Sequence, residues 1–295
     1  MTIIYELRNP PHHGVPTCIC IDRKKHWLLL GTSHGVMDLW DLRFQLRLKG
    51  WGLQAATPIN RIILSPRLKS SSRRRIVVTG GTGQGEITVW DLEKLTCREV
   101  LRCHNGRDTG KGYRLVDIDE EKAGGMLDRF KGQLDPGSSS GVDKGVRALA
   151  VAAHIPEDTG DPKHIFILSA GPDWKVRFWD GHRYEASMVV SGLEPEEGKP
   201  TYAVQPGTDY VVVTEKLVQP ASSNMPLGSP GGSRASSNTS AKRDKKGPPK
   251  SSIVSLQQQH LLKSHTDTIQ DIALVEHPYG MVVSVDRSGV VYVFS

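Results

Sequence analysis

Gly85-Glu86-Ile87-Thr88-Val89-Trp90-Asp91 is a short alternating strand that opens on glycine and closes on Trp-Asp. The same design recurs at Gly35-Val36-Met37-Asp38-Leu39-Trp40-Asp41 and at Asp173-Trp174-Lys175-Val176-Arg177-Phe178-Trp179-Asp180. A fourth copy, Gly289-Val290-Val291-Tyr292-Val293-Phe294, carries phenylalanine in place of tryptophan. Working outward, each copy is preceded by an apolar run that leads into a turn, at 27–32, 76–81, 165–171 and 281–284. Further upstream lies another β-branched run, at 17–21, 59–64, 146–151 and 269–274. Period-2 alternation and β-branched content predict strands in all of them.

A repeat of strand, turn, strand and Trp-Asp at spacings near 40 to 45 residues is the mark of a WD-repeat β-propeller, each repeat supplying a four-stranded blade. The fold class is therefore all-β. Four repeats are clear, and the strand pair 201–204 and 210–214 would make a fifth. Propellers close with 4 to 8 blades, and the leading run 1–7 reads as a strand with no blade before it, so the chain reads as the C-terminal part of a larger, here partial, propeller. The intervals Trp90 to Trp179 and Trp179 to Phe294 each exceed one blade. The first excess is an insertion at about 104–145, where 115–118 and 126–130 could pack locally. The second includes 220–252, rich in Ser, Gly, Pro and Lys, which offers too little apolar surface to order itself and is expected to be a disordered loop. Blades then occupy 1–219, and a final blade 253–295.

The net charge is +6, but 220–252 holds Arg234, Lys242, Arg243, Lys245, Lys246 and Lys250 against Asp244, so the remainder is close to neutral. No aromatic residues are interleaved with those lysines, and no nucleic-acid partner is expected. Arg73-Arg74-Arg75 and the 242–246 cluster could touch an anionic membrane surface or simply solubilise loops. The cysteines, with Cys18 and Cys20 read on opposite faces of one strand and Cys97 and Cys103 near another strand's end, match no zinc spacing and are expected to be free thiols. The histidines show no metal-ligand spacing. The segment 80–85 is glycine-rich but joins two strands without a following Lys-Ser or Lys-Thr, so it is a hairpin turn and not a phosphate loop. No catalytic residue, cofactor site or metal site is nominated. No signal peptide is expected from these residues, and they hold no run of about 20 apolar residues to span a bilayer.

The residues expected to matter are structural blade residues: Trp40, Asp41, Trp90, Asp91, Ser169, Asp173, Trp179, Asp180, His265, Ser284 and Phe294. In such blades a buried network links a histidine before the first strand, a hydroxyl on the second, an aspartate in the next turn and the indole of the third. The third repeat offers Ser169, Asp173 and Trp179. The fourth offers His265 and Ser284, with Ser288 at the aspartate place and Phe294 at the tryptophan place, and the first has His34 where aspartate is expected.

Segments 27–35 and 39–46, 169–173 and 176–180, and 265–267 with 283–294 together resemble the C-terminal WD-repeat domain of the large regulatory subunit of class III phosphatidylinositol 3-kinase, the vacuolar-protein-sorting, protein-kinase-like subunit, in its fungal form. The resemblance covers nearly all of the chain outside 220–252. It implies a scaffold that holds the lipid kinase catalytic subunit and a Beclin-type adaptor for autophagy and vacuolar or endosomal sorting. It also implies a cytoplasmic site, peripheral on endosome, vacuole and autophagosome-precursor membranes. The family's kinase signatures, a Gly-rich loop with its strand lysine, His-Arg-Asp and Asp-Phe-Gly, do not occur in these residues, so this chain is not expected to be an enzyme. A free-standing WD adaptor for ubiquitin ligation or RNA processing is the alternative.

Overall fold

The computed structural model describes residues 6–53, 58–66, 75–80, 85–103, 115–118, 145–154, 164–193, 198–207, 210–217, 264–275 and 280–295. Expectations for 1–5, 126–130 and 220–252 therefore lie outside the described residues, as do the tips of the 81–84 turn and Arg73 and Arg74.

The chain is all-β and forms a partial propeller. The first blade is β1 (Pro16–Ile21), β2 (Trp27–Thr32), β3 (Val36–Asp41) and β4 (Leu46–Leu53), each antiparallel to the next. The second is β5 (Ile59–Leu64), β6 (Arg75–Gly80), β7 (Glu86–Asp91) and β8 (Thr96–Arg102). A short strand of the insertion, β9 (Leu115–Asp117), adds antiparallel to β4 through Trp51↔Asp117. The third blade is β10 (Ala148–His154), β11 (His164–Ala170), β12 (Val176–Asp180) and β13 (Met188–Ser191).

Next comes the hairpin β14 (Pro200–Pro206) and β15 (Val211–Leu217), the pair that would have made a fifth blade. It forms as a strand pair but not as a blade. β15 lies parallel to β8, from Val211↔Glu99 to Thr214↔Arg102, so the hairpin extends the second blade's sheet to six strands. Alternation in sequence says that a segment is a strand and is silent on which edge it joins. The last blade has three described strands, β16 (Ile269–Val275), β17 (Met281–Asp286) and β18 (Val291–Phe294).

The blades pack face to face through three apolar clusters. Trp27, Leu29, Met37 and Trp51 of the first blade meet Ile59, Ile62, Trp90 and Val100 of the second. Ile87, Val89 and Leu101 of the second meet Leu149, Ile167 and Trp179 of the third, with Tyr202 and Val213 of the hairpin. Ala148, Leu168 and Val176 of the third meet Ile269 and Ile272 of the fourth. Each cluster is the product of period-2 alternation, which sends successive side chains of one strand to opposite neighbours. The same rule corrects one expectation, for Cys18 and Cys20 share a face and both turn toward the second blade. All four cysteines are free, and burial pushes the thiol of Cys18 up to about 11 and those of Cys97 and Cys103 to about 12. At Gly31 the first two blades approach so closely that a Cβ would lie 2.8 Å from Ile59 Cγ2 and 2.6 Å from Cys18 Sγ.

The innermost strands are tied to one another as well. Asn60 Nδ2 donates to Val146 O at 2.8 Å, and Arg61 pairs with Asp271 at 3.2 Å, joining β5 to β16 past β10.

Candidate functional site: the polar ties of the blades and the faces left open

The aspartate of each Trp-Asp pair has one job, closing the turn that follows. Asp41 Oδ1 accepts from the backbone N–H of Arg43 and Phe44 at 2.9 and 3.3 Å. Asp91 does so for Glu93 and Lys94, and Asp180 for His182 and Arg183. A carboxylate two or three residues ahead of free N–H groups is an Asx-type turn, and Gln45 and Leu95, four residues on, take the left-handed conformation at φ 54° and 52°. The guanidinium of Arg43 and the two backbone donors hold the Asp41 carboxyl down at about 2.

The third-strand aromatic of each blade faces the blade before it. Trp90 belongs to the cluster with the first blade, Trp179 to that with the second, and Phe294 packs at the edge of that with the third. Where the indole is buried against a neighbour its N–H finds a hydroxyl, Trp179 Nε1 donating to Ser169 Oγ and Trp90 Nε1 to Thr88 Oγ1, each at 2.8 Å. Trp40 lies on the face of β3 opposite Met37 and Leu39, away from the second blade. Its N–H has no acceptor among the described residues, although the side chain is 7% exposed. Register gives the cause. Leu30 stands where the third blade has Ser169, and Asp38 stands where the second has Thr88. Asp38 is already engaged, accepting from His13 Nδ1 at 2.9 Å and from Arg47 at 3.2 Å.

His13 and Asp38, not His34, thus serve the first blade, and Thr32 binds the same segment by donating to His13 O at 2.6 Å. His34 Nδ1 lies 3.3 Å from His12 O. In the fourth blade His265 Nδ1 lies 2.9 Å from Asp286 Oδ2, and its Nε2 lies 2.6 Å from Ser284 Oγ. Ser288 is not the network's acid but a donor to Asp286 at 2.7 Å. Burial tends to raise the Asp286 carboxyl, but hydrogen bonds from His265, Ser288 and Val290 outweigh it and hold the group at about 2. Phe294 stacks on Tyr292, whose ring meets that of His265 edge-on at 4.7 Å. Asp173 does not join Ser169 and Trp179; it pairs with Arg177 at 2.6 Å.

Arg177, buried at 2% exposure on β12, also makes a two-pronged pair with Glu215 of β15, at 2.9 and 3.1 Å. Burial alone would lower the arginine's proton affinity, but Cys103, Asp173 and Glu215 around it raise it well above the usual value. Tyr202 donates to the same carboxylate at 3.3 Å and sets its ring edge-on against Trp179, centroids 5.5 Å apart. Sequence reasoning missed this cluster, because Arg177 and Glu215 are 38 positions apart and Glu215 lies outside every repeat motif.

Chemically, His265, Ser284 and Asp286 have the order of a nucleophile relay, yet all three are sealed inside the blade at 3% exposure or less. A relay needs a nucleophile that a substrate can reach. No group of three metal-binding side chains occurs among the described residues. What does reach solvent is apolar surface. Ile19 and Ile21 stand out from the first blade, and Val291 and Val293 from the last. Phe44, with Arg43 over its ring at 5.3 Å, and Trp174, at φ 61°, project from turns.

No family model matches the chain. Among curated proteins it is similar to the VPS15 protein of Komagataella pastoris, with 26% identity over 100% of this chain and 20% of that protein. It is 32% identical to Saccharomyces cerevisiae VPS15 over 31% of the chain and 6% of that protein. It is 24% identical to Arabidopsis thaliana VPS15 over 64% of the chain and 13% of that protein. Each is named a serine/threonine-protein kinase. The chain spans about a fifth of the length of the K. pastoris relative.

Proposed function

We propose that this chain, similar to the K. pastoris VPS15 protein along its full length, is a non-catalytic interaction scaffold of a class III phosphatidylinositol 3-kinase complex. In that reading it helps to hold the lipid kinase catalytic subunit and a Beclin-type adaptor together for autophagy and for endosomal and vacuolar sorting. It reaches membranes only peripherally, through the complex. No helix among the described residues is long and apolar enough to cross a membrane. In this reading the kinase activity in the relatives' names belongs to parts of those proteins outside the matched share.

One observation carries the reading. The side chains that could do chemistry are spent inside the blades as structural ties, His265, Ser284 and Asp286 above all, while loops and blade faces present apolar surface to partners. Propellers work through such surfaces, and the fold alone names no partner. The test is affinity purification of the tagged full-length protein from its own cells. Recovery of a phosphatidylinositol 3-kinase catalytic subunit in constant ratio supports the proposal. Consistent absence of that subunit, with ubiquitin-ligase or RNA-processing subunits in its place, would transfer the chain to an adaptor of another complex.

A further inference from the structure

The β14–β15 hairpin belongs by hydrogen bonding to the second blade and by side chains to the third. Among the described residues its only strand pairing outside itself is four register positions of β15 on β8, in the parallel sense, the slightly weaker of the two ladders. Among the described residues it is held to the third blade by side chains, Tyr202 against Trp179 and Glu215 on Arg177, with β14 lying beside the short 3₁₀ turn Tyr184–Ala186. Its share of the core is small. Tyr202 and Val213 are its buried members of the cluster with the third blade, Val211 packs against that cluster and Tyr210 and Val212 against the cluster of the first two blades, and along β14 only Tyr202 is buried. The far edge of β14 pairs with no further described strand and is bounded by Pro200 and Pro206, which lack donors and blunt an edge. Beyond this packing and the short parallel ladder, its polar hold on the third blade is concentrated at one point.

We propose that the β14–β15 hairpin is a releasable strap across the outer gap between the second and third blades, latched by the Glu215 carboxylate on Arg177. Blades splay apart toward their outer strands, so a bridge at the rim sets the angle between neighbours in a way that the inner strands do not. The latch is two-pronged and charge-assisted, the strong form of such a contact. The tyrosine hydroxyl satisfies a further lone pair of the carboxylate. Release would free the outer edge of β8 from Glu99 to Arg102, leaving the second blade with its own four strands. The blades themselves do not depend on the strap for their ladders.

Hydrogen exchange on the 295-residue chain, read by mass spectrometry at low denaturant, tests this. In the unmodified protein, peptides covering 198–217 should exchange through an opening of their own, with weaker denaturant dependence than those covering β10–β11 and β16–β17. Glu215→Gln should speed exchange in 198–217, and at the β8 edge, by about ten- to a hundredfold, with the β10–β11 and β16–β17 peptides unchanged. If 198–217 in the unmodified chain exchanges only together with β10–β11, the hairpin is an integral part of the blades and the strap is refuted, whatever the variant does. If the hairpin opens independently but Glu215→Gln leaves its rate unaltered, Glu215 is not the latch.

Discussion

Trp179 and Trp40 occupy equivalent places on their strands, but Trp179 packs against a neighbouring blade and donates a hydrogen bond that Trp40 lacks. Trp179→Phe removes a donor from Ser169 and leaves a fully buried hydroxyl without it. Trp40→Phe removes an N–H that has no acceptor among the described residues. Leaving a buried polar group unsatisfied costs about 1 to 3 kcal/mol, so Trp179→Phe is expected to be the more destabilising of the two by about that margin in denaturant melts of the same chain. Equal losses would mean that the indole N–H contributes nothing. Trp179→Ala removes packing as well and should cost about 3 to 5 kcal/mol. On the proposed scaffold function, the same change should lower the yield of assembled lipid kinase complex while leaving the turnover of purified complex unchanged. Both tryptophans were legible in the sequence because an aspartate follows each and closes the next turn. The orphaned N–H was not, since it depends on which residues hold two places, Asp38 two positions back on the same strand and Leu30 opposite Asp38, where the other blades carry a hydroxyl.

At the scale of elements, the four repeats could be read because each is local, with strands joined in chain order. The hairpin at Pro200–Leu217 could not be placed, because its partner β8 comes long before it and the pairing is parallel. The short strand β9 was foreshadowed as a locally packing run, and its destination on β4 was not. The turn aspartates invite a test of the local rule. Asp91→Ala strips two backbone donors of their acceptor, and by analogy with a lost helix cap should cost about 1 kcal/mol, seen as a lower denaturation midpoint with unchanged slope. The composition of 220–252 offers a core only Met225 and Leu227. Its deletion should leave the midpoint nearly unmoved, since loop length enters stability at about 0.6 kcal/mol per doubling.

For the whole molecule, two carboxyls held at about 2, Asp41 and Asp286, lie below the ordinary aspartate value of 3.8. A group whose folded value is depressed stabilises the fold above its unfolded value, and that contribution disappears as pH falls through the folded one. Thermal stability should therefore hold down to about pH 4 and decline between about pH 4 and pH 2. Asp286→Asn should flatten part of that decline. A melting temperature that drops already between pH 7 and pH 5 would point to other groups.

That each third-strand aromatic looks back toward the preceding blade gives the array a direction, like a row of bricks with a tongue on one side and a groove on the other. Trp40, Ile19 and Ile21 mark one end of the described array, and Val291 and Val293 the other, and the two are not copies of one surface. Contacts between unlike surfaces do not close on themselves as a twofold pair does; they repeat, adding units until a ring or a filament results. When expressed alone, the chain should therefore self-associate as a concentration-dependent ladder of species in sedimentation velocity, with no preferred dimer. Ile19→Lys at one end, or Val293→Lys at the other, should each be enough to shorten the ladder.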